Sequence, residues 1–393
     1  MSSPLEGVTV LDLTRVLSGP YCTMMLADLG ARVIKIEQPG KGDDTRHWGP
    51  PFIGSESAYF LSINRNKESV TIDFKQPDGR ALVDSLTARS DVVVENFRPG
   101  TLKKLGFDYA SLAKKHPRLV YCSISGFGQT GPRSREAGYD AVLQAEGGLM
   151  SITGTADGPP TRVGVAIADI VTGMFAAEGI TAALFARERT GRGQQVDIAM
   201  LDSVVALLTY QAGIYFASDT SPKRMGNRHP TIVPYETFSA ADGEFVLAVG
   251  NDDQWRRFCE VACITPGERY ATNKGRVTGY AELKPLLTRI LTQQPRQYWI
   301  DKLQAAGVPC GSVRDFGETF GDPQIAAREM IAAVEHHAIG LTRVLGTPLK
   351  LSDTPAAVRS APPAIGQHTD AVLKDDLGLS QSAIADLRNR GVV

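Results

Sequence analysis

Val8-Thr-Val-Leu-Asp-Leu13 reads as a buried strand; Gly19-Pro20 then breaks the chain, a helical run follows to about Gly30, and Arg32-Val-Ile-Lys-Ile-Glu37 reads as a second strand. Both strand-like segments are short, apolar and rich in β-branched residues, which suits a sheet covered on both faces. The alternation continues outward from there. Strand-like runs recur at 69–74, 91–95 and 119–123, with helical patterns at 78–88 and 109–115 between them. Strands alternating with helices argue for an α/β fold with a Rossmann-like parallel sheet.

Further along, Val163-Gly-Val-Ala-Ile-Ala-Asp169-Ile-Val-Thr-Gly-Met174 joins an apolar extended run to a helix rich in small residues. That helix should run to about Arg187 and stop at Gly191-Arg192-Gly193. A strand at 195–199 and one helix at 201–217 follow. The polar stretch 218–230 reads as a linker, after which the style changes. A hairpin through Asp242-Gly243 and helices at 252–261, 281–292 and 296–305 predict a smaller α+β domain. The expected organisation is a large α/β domain over 1–217, the linker 218–230, a small domain over 231–325, and a return segment 326–393. His368-Thr369-Asp370 opens the helix expected to be last.

The 393 residues are 42% hydrophobic and 22% charged with a net charge of −1. Bulk electrostatics therefore point to neither nucleic acid nor an anionic membrane surface. No uninterrupted apolar stretch reads as long enough to span a bilayer. Five cysteines, at 22, 122, 259, 263 and 310, form no CxxC pair and predict neither disulfides nor zinc. Cys259 and Cys263 should share a helix face. The segment Met1–Gly7 lacks a basic-then-apolar signal, so the expectation is a cytoplasmic setting, or the mitochondrial matrix if a transit segment precedes it.

Asp169 is the leading candidate for chemistry. A carboxylate held between an extended run and a helix can act as a nucleophile; equally, Asp ahead of an apolar-periodic segment is a usual helix N-cap. Gly126-Phe-Gly-Gln-Thr-Gly131 is a literal GxGxxG after a strand, but Pro132-Arg-Ser-Arg135 follows and no helical period begins there. A dinucleotide-dependent oxidoreductase needs the loop to open a helix whose N-terminus takes the pyrophosphate. Arg15, Arg46 and Arg98 lie in Gly- or Pro-containing loops and suit phosphate or carboxylate. His336-His337 reads as a pair of surface histidines, not a metal site.

Together these segments resemble the class III CoA-transferases, the formyl-CoA transferase and carnitine CoA-transferase family. The resemblance rests on Leu11-Asp-Leu-Thr-Arg15, Val33-Ile-Lys-Ile-Glu37, Gly42-Asp-Asp-Thr-Arg46, Asn64-Arg-Asn-Lys67, Val94-Glu-Asn-Phe-Arg-Pro-Gly100, Gly126–Pro132, Ala137-Gly-Tyr-Asp140, Thr190-Gly-Arg-Gly193 and Gly366-Gln-His-Thr369, in order over nearly the whole length. Asp44-Thr-Arg-His-Trp-Gly-Pro-Pro51 and Ile232-Val-Pro-Tyr235 are most similar to members that use succinyl-CoA and glutarate. The resemblance implies Asp169 as nucleophile, passing through aspartyl anhydride and aspartyl-CoA thioester intermediates. It implies a CoA thioester as substrate, no permanently bound cofactor, and an interlocked homodimer. CoA contacts carry over to Val16, Leu17, Ile72, Lys75, Asn96, Phe97, Arg98, Lys104 and Tyr139. Arg15, Arg46, Arg228 and His229 are the expected holders of an acceptor's distal carboxylate. Gln38 departs from the arginine of formyl-CoA transferase. The same fold houses α-methylacyl-CoA racemases, but these carry histidine where this chain has Tyr139, a poor base at neutral pH.

Overall fold

The larger unit is organised by ten elements: β1 (Thr9–Asp12), α1 (Ser18–Asp28), β2 (Arg32–Glu37), β3 (Lys67–Thr71), α2 (Pro77–Thr87), β4 (Val92–Glu95), β5 (Val120–Ser125), α3 (Asp140–Glu146), α4 (Ile167–Thr190) and β6 (Gln195–Ala199). The strands form one sheet in the order β3-β2-β1-β4-β5-β6, and every neighbouring pair is parallel. Val10 of β1 stands opposite Val33 on one side and Val92 on the other. The order reverses direction between β1 and β4. In a doubly wound sheet this opens a crevice beyond the carboxyl ends of those two strands.

Alternate strand residues serve opposite faces. Leu11, Ile34, Val70, Val93 and Tyr121 pack with α2 and the C-terminal helices through Leu82, Leu86, Val372 and Ile384. Val10, Val33, Val92, Val120 and Cys122 pack with α1 and α4 through Leu26, Ala176, Ile180 and Ala183. Each of the buried valines, leucines and isoleucines among these contributes roughly 1.5–3 kcal/mol of transfer free energy. Taken alone, α4 is long and apolar enough to cross a membrane, contrary to the sequence expectation, yet half of its apolar window is buried inside the protein. Its fit is tight: a Cβ on Gly173 would lie 2.6 Å from the Ser18 carbonyl oxygen.

The computed structural model describes residues 3–265 and 267–393. It divides into a unit of Met1–Leu149, Val163–Tyr210 and Pro323–Val393, and a second of Met150–Arg162 and Gln211–Asp322. The second unit's short segment, Met150–Arg162, thus comes from the stretch expected to belong wholly to the large domain, and its longer segment starts within the stretch expected as one helix over 201–217. That stretch is two helices, Met200–Ala206 and Thr209–Ser218, because Thr209 takes a φ of +37° that a helix cannot continue through. Within the second unit, β7 (Tyr235–Ser239), β8 (Glu244–Ala248) and β9 (Cys310–Ser312) form an antiparallel sheet with β8 central. Phe238, Phe245, Trp255, Phe258, Leu287 and Trp299 make its separate core.

Three smaller expectations are corrected. Cys263 lies beyond the helix that carries Cys259, with a φ of +50°. His336 is buried at the end of a strand, where its Nδ1 accepts from the Ala338 N–H, so only His337 of that pair is exposed. The helix Thr369–Asp375 is followed by another, Gln381–Asn389. Gly366–Thr369 lies along the edge strand β3: Ser69 N–H donates to His368 Nδ1, Thr71 N–H to Thr369 Oγ1, and His368 N–H to the Ser69 carbonyl. Polar groups that an edge strand would leave unpaired are thereby satisfied.

Candidate active site

Four of the family motifs meet in one buried ionic network under the carboxyl end of the sheet. Asp12, Lys35 and Lys67 have fully buried side chains. Lys67 Nζ reaches Asp12 at 3.2 Å and donates to the Pro20 carbonyl and Asn64 Oδ1. Lys35 Nζ meets Asp43 at 2.9 Å and donates to the Thr14 carbonyl. Glu37 takes both ends of the Arg46 guanidinium fork and the Ser69 hydroxyl. Burial works against Asp12's charge, but Lys67, Lys35, Thr14 and Thr23 together hold it down to about 2, while burial depresses Lys67 to about 8. Charges placed so deep persist only when fully paired. In the sequence they interrupt apolar runs, and that interruption was the available signal.

The network fixes the loop after β1. Asp43 accepts the N–H of Val16, which is held at φ +71°, a left-handed conformation rare for a β-branched residue. Such strain typically costs about 1–3 kcal/mol and persists where the surroundings over-determine it. Across the crevice, Arg15 N–H donates to Asn96 Oδ1 at 3.0 Å and Asn96 Nδ2 donates to the Arg15 carbonyl at 2.7 Å. The loops after β1 and β4 are therefore locked to each other. Buried Glu95 accepts the Phe97 N–H beneath the second loop, and desolvation raises its carboxyl to about 7.

A cavity of about 510 Å³ opens on these loops, with Asp169 in its wall beside Arg15, Val16, Ser18, Trp48, Asn96, Phe97, Arg98, Gly126, Gly138 and Tyr139. A second, of about 270 Å³, shares Arg15, Lys41, Asp44 and Phe97 with the first and adds Gln38, Ile72 and Lys75. Gly126 and Gly138 lie back to back: a Cβ on Gly138 would come within 2.6 Å of Gly126 Cα. The GxGxxG glycines here allow two loops to touch. No helix opens after Gly131, so the helix N-terminus that a pyrophosphate requires is not formed.

Asp169 is not an N-cap. Ala166 holds that position, and Asp169 is the third residue of α4. Ser18, at the start of α1, also favours its anion through its hydroxyl and backbone N–H. Two helix N-termini thus converge on one half-buried carboxylate, each favouring the anion by about 0.3–1 kcal/mol. Desolvation and the neighbouring Asp140 carboxylate outweigh them and raise its pKa to about 7.

Of the other expected residues, Val16, Asn96, Phe97, Arg98, Tyr139 and Arg15 line the first cavity, while Ile72 and Lys75 line the second. Leu17 is buried at the N-cap of α1, and Lys104 is exposed in a short turn; neither lines either cavity. Arg46, expected to hold substrate, is buried, bonded to Glu37 and the Pro363 carbonyl, and stacked on Phe60 at 3.6 Å. Its Nε and Nη2 donors are already committed, and Nη1 faces Glu56 at 3.7 Å. Arg228 stacks on Tyr280 at 3.5 Å and His229 lies beside Tyr235 in the smaller unit. Sequence reasoning did not single out Ser18, Lys41, Asp44, His47, Trp48, Asp140 or Gln144. Among the described residues no group of three or more His, Cys, Asp or Glu is arranged to hold a metal ion.

The sequence profile of CoA-transferase family III matches residues 5–369. The chain belongs to that family. As a family III member it is an acyl-CoA:carboxylate CoA-transferase, and its substrates are a CoA thioester and a carboxylic acid. It is 42% identical to the human succinyl-CoA:glutarate CoA-transferase over 99% of this chain and 90% of that protein. It is 43% identical to an acetyl-CoA:oxalate CoA-transferase of Acetobacter aceti over 89% of each. The crystal structure of a CAIB/BAIF family protein from Brucella suis superposes with a TM-score of 0.85 at 44% identity, covering 96% of this chain and all of that one. For this family III enzyme, the crevice between β1 and β4 is where the chain gathers cations, loop backbone and one carboxylate of raised pKa.

Proposed function

We propose that the enzyme moves CoA from succinyl-CoA to a dicarboxylic acid such as glutarate, with Asp169 as the covalent carrier. The observation that carries this reading is a carboxylate in the wall of the cavity, half-buried, in the first turn of α4 and beside Ser18 at the start of α1. With a pKa near 7 it is largely ionised at slightly alkaline pH and needs no separate base. It is also poorly solvated, which favours attack on the thioester carbonyl.

In the first step an Asp169 oxygen bonds to the donor acyl carbon and CoA leaves as thiolate, giving a mixed anhydride. The thiolate then attacks the aspartyl carbonyl, forming an aspartyl-CoA thioester and releasing succinate. The acceptor carboxylate attacks that thioester to make a second anhydride. CoA thiolate takes the acceptor acyl group from it and restores Asp169. Each adduct converts the anionic carboxylate into a neutral ester-like group, so the burial that raised its pKa favours bond formation. Val16, Asn96, Phe97, Arg98 and Tyr139 are positioned to take the CoA arm near Asp169, and Ile72 and Lys75 to take its distal part in the adjoining cavity. Arg15, bonded to Asp44 at 3.2 Å yet half exposed, is the best-placed of the expected arginines for an acceptor's far carboxylate.

The dicarboxylate preference is supported by the likeness to the human glutarate enzyme and by Arg15, Lys41, His47 and Arg98 in the cavity wall. Assayed with succinyl-CoA, glutarate should exceed pentanoate in kcat/KM by about 10²-fold, as expected for loss of a charged-group contact. Equal rates for the two acids would refute the preference. A racemase reading fares worse: Tyr139 is two-thirds exposed and stands where a base is required.

We extend the proposal to a homodimer. Phe175 and Phe185 on α4 are exposed, and the helix Thr209–Ser218 buries none of its residues although it carries Tyr215 and Phe216. Apolar surface of this kind marks an interaction face. Sedimentation equilibrium should give twice the chain mass; a fully active monomer at assay concentration would contradict it.

A further inference from the structure

Asp140 and Gln144 stand one helical turn apart on α3, and neither takes part in the chemistry described above. Gln144 is fully buried. Asp140 Oδ1 accepts the Ala168 N–H at 2.9 Å, and its Oδ2 accepts from Gln144 Nε2 at 2.8 Å. Gln144 Oε1 in turn accepts the Val163 N–H at 2.9 Å. The two side chains therefore grip both ends of the segment 163–168, the connection that enters α4. Ala166, the N-cap of α4, supplies no side-chain cap of its own. Asp140 replaces that missing cap from another helix, and it does so with a charged group beside Asp169.

We propose that Asp140 and Gln144 are positioning residues for Asp169, with Gln144 setting the backbone that presents it and Asp140 adding a like charge that the covalent adduct relieves. This rests on the reading of Asp169 as nucleophile. The ionisable groups that interact with the carboxyl are Asp140 on α3 and Tyr59 on the helix Ala58–Ile63; Arg15, Lys41, Asp44, His47, Arg98, Glu136 and Tyr139 share the cavity wall with it. Tyr59 is itself held neutral, at about 12, by burial and by Asp169 and Asp140. Asp140 is thus the carboxylate that acts most strongly on Asp169, consistent with the latter's rise to about 7.

Two variants separate the two roles. Asp140→Asn removes the charge and keeps one oxygen to accept the Ala168 N–H, while its –NH2 faces Gln144 Nε2 and gives up that hydrogen bond, so the titration midpoint, not kcat, is its diagnostic readout. Gln144→Met keeps the volume and the Asp140 charge but frees the Val163 end. The Asp169 carboxyl is followed by carbon NMR of protein labelled at aspartate Cγ, its resonance assigned by loss in Asp169→Ala. In Asp140→Asn the titration midpoint should fall by about one pH unit, and the acidic limb of kcat/KM should move with it. In Gln144→Met the midpoint should stay within a few tenths of wild type while kcat falls by about 10²-fold, as misplacement of a reacting group predicts. An unmoved midpoint in Asp140→Asn, or wild-type kcat in folded Gln144→Met, overturns the proposal. Neither result touches the nucleophile itself, which is lost only if Asp169→Ala retains transfer.

Discussion

Asp169→Asn should abolish CoA transfer, by about 10³-fold or more, and at the same time raise the thermal midpoint near pH 7.5. The first effect follows from the proposed mechanism, in which Asp169 carries both the acyl and the CoA moiety and the two half-reactions share that intermediate. The second follows from linkage. The folded-state pKa of Asp169 is raised from 3.8 to about 7, so between those values the folded protein binds a proton that the unfolded chain does not. Ionising the group costs stability progressively as pH rises through that window, and the full cost is carried above it. Taken at face value the shift is worth roughly 4 kcal/mol, but the side chain is only half-buried and solvent screens it, so about 1–2 kcal/mol is the better expectation. The midpoint should rise by about 2–4 °C at pH 7.5, with the difference vanishing near pH 4. Calorimetry at the two pH values checks the sign. An equal or lower midpoint at both would show that burial does not penalise the charge. Stability given up at the reacting group is the pattern expected of a functional site.

Asp12→Asn should be the most destabilising change at any of the motif carboxylates. It leaves Lys67 and Lys35 in a fully buried network without their shared counter-charge. Removing one member of such a pair typically costs about 3–5 kcal/mol. The exposed pair Lys115–Asp84, 2.9 Å apart, provides the control: Lys115→Met should change stability by less than about 0.5 kcal/mol. The pH dependence is also diagnostic. Asp12 is held down at about 2 in the fold, so its contribution is complete above the unfolded value and is lost as pH falls from about 4 towards 2. Wild type should lose stability over that window more steeply than Asp12→Asn. Urea denaturation at pH 7 and pH 3 measures both slopes. A variant as stable as wild type at pH 7 would remove the network from any role in holding the Thr14–Val16 loop.

The parallel sheet was legible because apolar β-branched runs at 8–13, 32–37 and 195–199 carry the strand signal locally. The hairpin through Asp242-Gly243 and the helix Arg296–Ala305 were legible for the same reason. Strand β3 was misplaced, expected at 69–74 and found at Lys67–Thr71, because its first residue is a buried lysine that no local pattern marks as interior. The break at Thr209 was hidden by residues that individually suit a helix. Arg46 shows the limit most clearly. A guanidinium in a Gly-rich loop reads as ligand-seeking, and only tertiary structure shows Glu37 already occupying it. Asp169 was legible as a candidate, but its altered acidity was not, since that depends first on burial and then on Asp140, which is remote in sequence.

The most direct test is to trap the carrier. Enzyme incubated with succinyl-CoA alone, quenched with hydroxylamine and digested with trypsin, should yield the peptide Val163–Arg187 bearing a hydroxamate at Asp169, and none when Asp169→Asn is used. Active enzyme that turns over under the same conditions with that peptide unmodified would mean that CoA passes between the two acids without ever being carried by this side chain.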